Sequence, residues 1–225
     1  MTSLDIRRFA TRAALDAALE ERLARAIAVP GPSALMLSGG NTPLPAYRAL
    51  SSRSLPHDAG LRIVFTDDRY VPADSEKSNY HQSRPLLDAL ALSAHAALRV
   101  RTELPLQEAA ADYERQLAAL ATAGARVGLG LLGLGADGHT ASLFTAADIE
   151  RARGRLAIDV QRPDGMAGVS VTPEFLAQVA EPVFVVAGGG KREALAALAA
   201  RDPALTAWRA VQGCPHVELW VCESD

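Results

Sequence analysis

Apolar positions recur along this chain in two alternating rhythms. Over residues 11–29, Leu15, Ala18, Leu19, Leu23, Ala26 and Ile27 follow a 3.6-residue period, which predicts an amphipathic helix. Pro30-Gly31-Pro32 stops it, and residues 33–37 form a short run whose apolar positions are nearly continuous, as in a buried strand. Thr42 and Pro43 then fit the cap and first position of a helix running towards Leu50. The alternation continues with a strand over 61–65, a helix over 80–90, a short strand over 98–100, a helix over 105–120 and a strand over 127–134. Residues 146–166 are weakly patterned, with one strand expected near 156–158. A strand over 168–171, a short helix over 173–179, a buried strand over 182–187, an Ala-rich helix to Ala200 and a closing strand over 217–221 complete the pattern.

Near-continuously apolar strands that alternate with amphipathic helices predict an α/β fold, a Rossmann-like three-layer sandwich. Its mostly parallel sheet would be covered by helices on both faces. With 225 residues and no linker-like tract, residues 1–225 are read as a single domain. Right-handed crossovers place every strand-to-helix loop along one edge of such a sheet. The glycine-rich or charged segments that follow four of the strands therefore converge.

Composition narrows the partners. A net charge of -3 offers no attraction to nucleic acid or to an anionic membrane surface. No apolar run is long enough to span a bilayer, and residues 1–12 lack the apolar stretch of a signal peptide, so a cytoplasmic protein is expected. Cys214 and Cys222, without clustered histidines, do not form a zinc site and are read as reduced thiols.

The first convergent loop, Ser38-Gly39-Gly40-Asn41-Thr42-Pro43, has the parts of an anion site. Two glycines allow backbone N–H groups to turn inward, and a helix start follows. It lacks the ending of a P-loop. The second loop packs Asp67, Asp68 and Arg69 at a strand end; Arg69 suits bidentate contact with a phosphate or carboxylate, and the carboxylates suit its orientation or substrate hydroxyls. The third, Gly133-Leu134-Gly135-Ala136-Asp137-Gly138-His139, holds an acid and the one histidine that stands in a glycine-flanked strand-end turn. It reads as leading into a helix, whose N-terminal N–H groups would keep His139 neutral and able to act as a base. The fourth, Gly188-Gly189-Gly190-Lys191, sets a cation at a helix start, an unfavourable placement that a nearby anion would explain.

With these loops assembled, the chain resembles the 6-phosphogluconolactonases and the wider group that includes the glucosamine-6-phosphate deaminases. The resemblance rests on Ser38-Gly39-Gly40-Asn41-Thr42-Pro43, Thr66-Asp67-Asp68-Arg69-Tyr70-Val71-Pro72, Ser78-Asn79-Tyr80 and the stretch from Gly133 to Phe144. It implies a metal-independent, cofactor-free hydrolase of the pentose phosphate pathway acting on a small sugar-phosphate lactone, as a monomer or weak homodimer. Carried onto this sequence, Gly39, Gly40, Asn41, Thr42 and Lys191 would hold the phosphate. Asp67 would contact the substrate and His139 would activate water, with Asp137 orienting the loop or the imidazole. Arg69 would also be catalytic, contacting the substrate's anionic or ring oxygens, and its side chain or backbone N–H groups near Gly138 would be the candidates to meet the oxyanion. The chain departs from the resemblance at Asp68, where a glutamate is usual, and at Gly168, where an arginine is usual. Arg155 and Arg162 are the alternatives for that missing cation. On this reading Gly168→Arg is expected to leave KM unchanged or lower it. Two rival functions are an amino-sugar-phosphate deaminase, which calls for a carboxylate where Phe144 stands, and a non-catalytic sugar-phosphate binder on the same fold.

Overall fold

The computed structural model describes residues 2–93 and 95–223. In chain order the elements are β1 (Ser3–Arg8), α1 (Arg12–Ile27), β2 (Ser33–Leu37), α2 (Leu44–Ser51), β3 (Arg62–Phe65), β4 (Asp67–Arg69), α3 (Asn79–Ala89), β5 (Ala97–Leu98), α4 (Leu106–Thr122) and β6 (Arg126–Leu132). They continue with α5 (Ala146–Arg151), β7 (Ala157–Gln161), β8 (Ala167–Val171), α6 (Pro173–Leu176), β9 (Glu181–Ala187), α7 (Arg192–Ala199), α8 (Thr206–Val211) and β10 (His216–Cys222). Seven strands form one sheet in the order β1-β10-β9-β6-β2-β3-β5, and every pairing in it is parallel.

The strands alternate their side chains between two cores. Ala34, Met36, Phe184 and Val186 enter one buried cluster, while Leu35, Leu37, Val183 and Val185 enter the other. α1 to α3 close the second cluster through Leu15, Leu19, Leu23, Tyr47, Leu50 and Leu86. α4, α7 and α8 close the first through Tyr113, Leu117, Leu198 and Val211. Each such fully buried aliphatic side chain contributes roughly 1.5–3 kcal/mol. The three-layer α/β sandwich read from the alternation is the fold found.

Several elements differ from the sequence reading, each for a physical reason. β1 reads as polar because it is an edge strand, paired only with β10 and largely exposed. β4 has no apolar signature at all: its three charged residues are ordered by antiparallel pairing with β8, in a second sheet of order β4-β8-β7. α5 and α8, of six residues each, are too short for a helical period to register. Pro43, in helical conformation, stands before α2, and Thr42 makes no cap.

The order of the strands has a consequence for binding. From β2 the chain winds outwards through β3 to β5, then returns to β6 on the other flank of β2 and proceeds to β9 and β10. The β2–β6 boundary is a topological switch point, where the loops leaving the carboxyl ends of two adjacent strands part and open a crevice.

Candidate active site

That crevice is a cavity of about 190 Å³ whose lining draws on all four loops and on the second sheet. Gly39 and Gly40 come from the end of β2, Asp67 and Arg69 from β4, and Gly133, Gly135 and His139 from the segment after β6. Lys191 comes from the turn after β9. A larger cavity of about 670 Å³ shares none of these residues and lies at the amino ends of β2, β3 and β6, beside Pro32, Arg62 and Ala125. Size alone would select it, but the charged side chains and glycine turns gather in the smaller one.

The segment carrying His139 is not a helix start. After β6 the chain makes a tight turn in which Gly138 donates to the carbonyl of Gly135 (3.1 Å) and Gly135 to that of His139 (2.9 Å). Gly138 has φ +83° and its missing Cβ makes room for Leu205, so this position requires glycine. The next helix, α5, begins only at Ala146, with Thr145 and Asp148 forming a capping box. The imidazole is therefore set by a carboxylate and not by a helix dipole: His139 Nδ1 lies 2.5 Å from Asp137 Oδ1. An ionised carboxylate only accepts, so Nδ1 carries the proton of this hydrogen bond, and in the neutral ring Nε2 is the nitrogen with the free lone pair. Burial acts to raise the Asp137 carboxyl pKa, but the hydrogen bond from His139, together with its charge when the ring is protonated, outweighs it and holds the group below its usual range. Gly135 makes the pairing sterically feasible, because a Cβ there would fall 2.1 Å from His139 Nδ1.

Arg69 is held by Asn79, whose Oδ1 accepts from Nη1 at 2.5 Å. Asn79 in turn donates through Nδ2 to the Asp67 carbonyl (2.8 Å) and rests on Gly39, where any Cβ would collide with its amide. Asp67 lines the cavity, yet its oxygens are engaged. Thr66 Oγ1 donates to Oδ1 (2.8 Å), Ser142 Oγ donates to Oδ2 (2.5 Å), and Arg162 Nη1 stands 3.7 Å from Oδ2. Arg162 also lines the cavity, whereas Arg155 pairs with Glu114 at 2.7 Å and does not.

Of the residues read as the phosphate loop, Gly39 and Gly40 line the cavity; Asn41 and Thr42 do not, and their carbonyls accept from Arg12 Nη2 at 3.4 and 2.8 Å. Lys191 lies at the entry to α7 and lines the cavity without an ion pair among the described residues; burial holds its pKa below the usual lysine value. Asn79, quoted in the resemblance, was given no role there; of the two alternatives for the missing cation, Arg162 lines the cavity and Arg155 does not. Cys214 and Cys222 are both buried thiols.

Asp68 lies behind the cavity and accepts from the backbone N–H groups of Arg69 (2.8 Å), Asn79 (2.7 Å) and Tyr80 (3.2 Å) and from Ser78 Oγ (2.9 Å). Burial outweighs these bonds and pushes its carboxyl from 3.8 up to about 6. Between those values the native state holds a proton that the unfolded chain has released, so this residue's contribution falls as pH rises. Wild type should lose on the order of 2–3 kcal/mol relative to Asp68→Asn between pH 4 and pH 7. Urea unfolding of both proteins at the two pH values checks this; a difference independent of pH would refute it.

The chain was compared with known proteins. A family model described as glucosamine-6-phosphate isomerases/6-phosphogluconolactonase matches residues 7–217. A 6-phosphogluconolactonase of Synechocystis is 35% identical over 218 residues, covering 91% of this chain and 87% of the relative. The crystal structure of the 6-phosphogluconolactonase of Thermotoga maritima superposes with a TM-score of 0.82 at 25% identity, covering 99% of this chain and 100% of that one. A monomeric glucosamine-6-phosphate deaminase reaches the same TM-score, 0.82, at 16% identity, over 97% of both chains. That likeness shows a common fold alone, so the choice between the two activities has to be made at the site.

Proposed function

This chain belongs to the glucosamine-6-phosphate isomerase/6-phosphogluconolactonase family, and we propose that its site hydrolyses 6-phospho-D-glucono-1,5-lactone to 6-phosphogluconate, a step of the pentose phosphate pathway. We read it as a cytoplasmic enzyme whose partner is that small molecule. The observation that carries the choice is the surroundings of the imidazole. Asp137 occupies Nδ1, and the neighbouring ring, 4.3 Å away by centroids, is Phe144. A deaminase that opens a sugar ring needs a second proton carrier beside its histidine, and a phenyl ring carries none.

In the proposed mechanism His139 Nε2 takes a proton from water as the water oxygen attacks the lactone carbonyl carbon. The carbonyl π electrons move onto oxygen, giving a tetrahedral oxyanion that the cationic side of the cavity stabilises. When the carbonyl re-forms, the bond to the ring oxygen breaks and that oxygen takes the proton from the imidazolium. The products are a carboxylic acid, which ionises, and a hydroxyl. Asp137 keeps its own charge throughout and favours the transient imidazolium. Gly39, Gly40, Lys191 and Arg69 form the end of the cavity suited to the phosphate.

Freshly generated 6-phosphogluconolactone supplies the test. Acid release should accelerate strongly with the protein present, and glucosamine 6-phosphate should yield no ammonia. Ammonia release without lactone turnover would replace this reading with the deaminase one.

A further inference from the structure

The cavity holds a second guanidinium. The side chain of Arg162, which follows β7, is only 10% exposed. Its stem runs over Gly168: a Cβ at that position would lie 3.5 Å from Arg162 Cδ and 3.0 Å from the Asp68 carbonyl oxygen. The first of these is ordinary contact and the second a tight one, and Gly168 is the partner of Arg69 across the β4–β8 pairing. Arg162 Nη1 donates to Ser142 Oγ at 2.7 Å and Nε to Asp164 Oδ2 at 3.3 Å. Among the described residues nothing accepts from Nη2. Ser142 Oγ, which accepts from Arg162, itself donates to Asp67, so this acid fixes the guanidinium from behind.

The two arginines are held by different partners. Arg69 is held by Asn79, which packs on Gly39, and so belongs with the glycine loop. The Arg162 guanidinium lies 5.1 Å from the centroid of Phe144, the ring that also packs against His139. We propose that Arg162 is the residue that stabilises the negative charge developing on the lactone carbonyl oxygen, leaving Arg69 to the phosphate end. A guanidinium stays charged at any working pH and its Nη2 hydrogens are unspent, so it is preorganised for that charge. The inference rests on the lactone-hydrolysis reading. It also bears on residue 168: a second guanidinium there would share the cavity with Arg162, and its Cβ would press on the Asp68 carbonyl oxygen at 3.0 Å.

The test compares wild type, Arg162→Gln and Arg162→Lys on fresh lactone, with glucose 6-phosphate as competitive inhibitor. This probe has a phosphate but no lactone carbonyl. Arg162→Gln should lower kcat by about 10–100-fold, at or just below the loss usual for one oxyanion donor. Arg162→Lys should recover part of it, and the inhibition constant of glucose 6-phosphate should stay within about twofold in both. Thermal melting checks folding, and should Arg162→Gln not fold, Arg162→Lys decides: a fall in kcat with an unmoved inhibition constant supports the role. Unchanged kcat in a folded variant overturns it, as does inhibition weakened as much as turnover, which would make Arg162 a phosphate ligand. Absence of lactone turnover by wild type would instead remove the lactonase reading itself, and the proposal with it.

Discussion

His139→Ala should lower kcat for lactone hydrolysis by about 10²–10⁴-fold while leaving the affinity for glucose 6-phosphate within a few-fold of wild type. The size follows from the arrangement at the imidazole. Asp137 fixes the ring by a 2.5 Å contact to Nδ1, so the lone pair of the neutral imidazole is on Nε2 and confined in direction. Removing the ring removes the base, and no other histidine lines this cavity. The residues proposed for the phosphate, Gly39, Gly40 and Lys191, come from other segments of the lining, which is why binding should persist. Asp137→Asn should act in the same direction but less, since an amide still reaches Nδ1 while no longer favouring the proton there. Gly135→Ala should also lower kcat, because its Cβ would displace the ring without touching its chemistry. Steady-state kinetics and inhibition on the three variants separate these effects. Turnover in His139→Ala within tenfold of wild type would assign water activation to another group.

How much of this was legible before folding depends on where each residue's placement is decided. The parallel sheet and its two helical layers were readable because strands buried on both faces carry a continuous apolar signal. Leu35 and Met36, neighbours in sequence, feed opposite cores. Convergence of the four loops followed from handedness alone and is found in the cavity lining. His139 and Asp137 were legible because acid, glycines and histidine are adjacent in the chain. What local reasoning misjudged was the cause of the histidine's orientation. The turn after β6 resembles a helix entry in its residues, yet its N–H groups close on Gly135 and Asp137, and the helix waits for the cap at Thr145. Arg162 was legible only as one of two alternatives, because the choice between it and Arg155 is not made locally. Its position is set by pairing between β7 and β8 and by an acid that lies 95 residues earlier, neither of which is a local property. Asp67 shows the converse case, a carboxylate at the expected edge whose oxygens are already taken by Thr66, Ser142 and Arg162.

The second large effect concerns the phosphate. The protein should bind 6-phosphogluconate about 10³-fold more tightly than gluconate, a difference of about 4 kcal/mol. Lys191 is largely withdrawn from water and without an acidic partner among the described residues, and that burial depresses its pKa. A desolvated ammonium without a counter-ion is unfavourable, so an arriving dianion relieves a cost already present in the free protein. Gly40, at φ +89°, turns the backbone beside it, and the Asn41 and Thr42 carbonyls, which would repel an anion, are held by Arg12. Two or three charge-assisted bonds at about 1.5–3 kcal/mol each account for the predicted gap. Lys191→Ala should shrink the gap by at least tenfold and Lys191→Arg by less, with gluconate affinity moving little in either. Calorimetric titration of both sugars acids against the three proteins measures these quantities directly. Equal affinities for the phosphorylated and unphosphorylated acids in wild type would show that the glycine loop and Lys191 do not form a phosphate site.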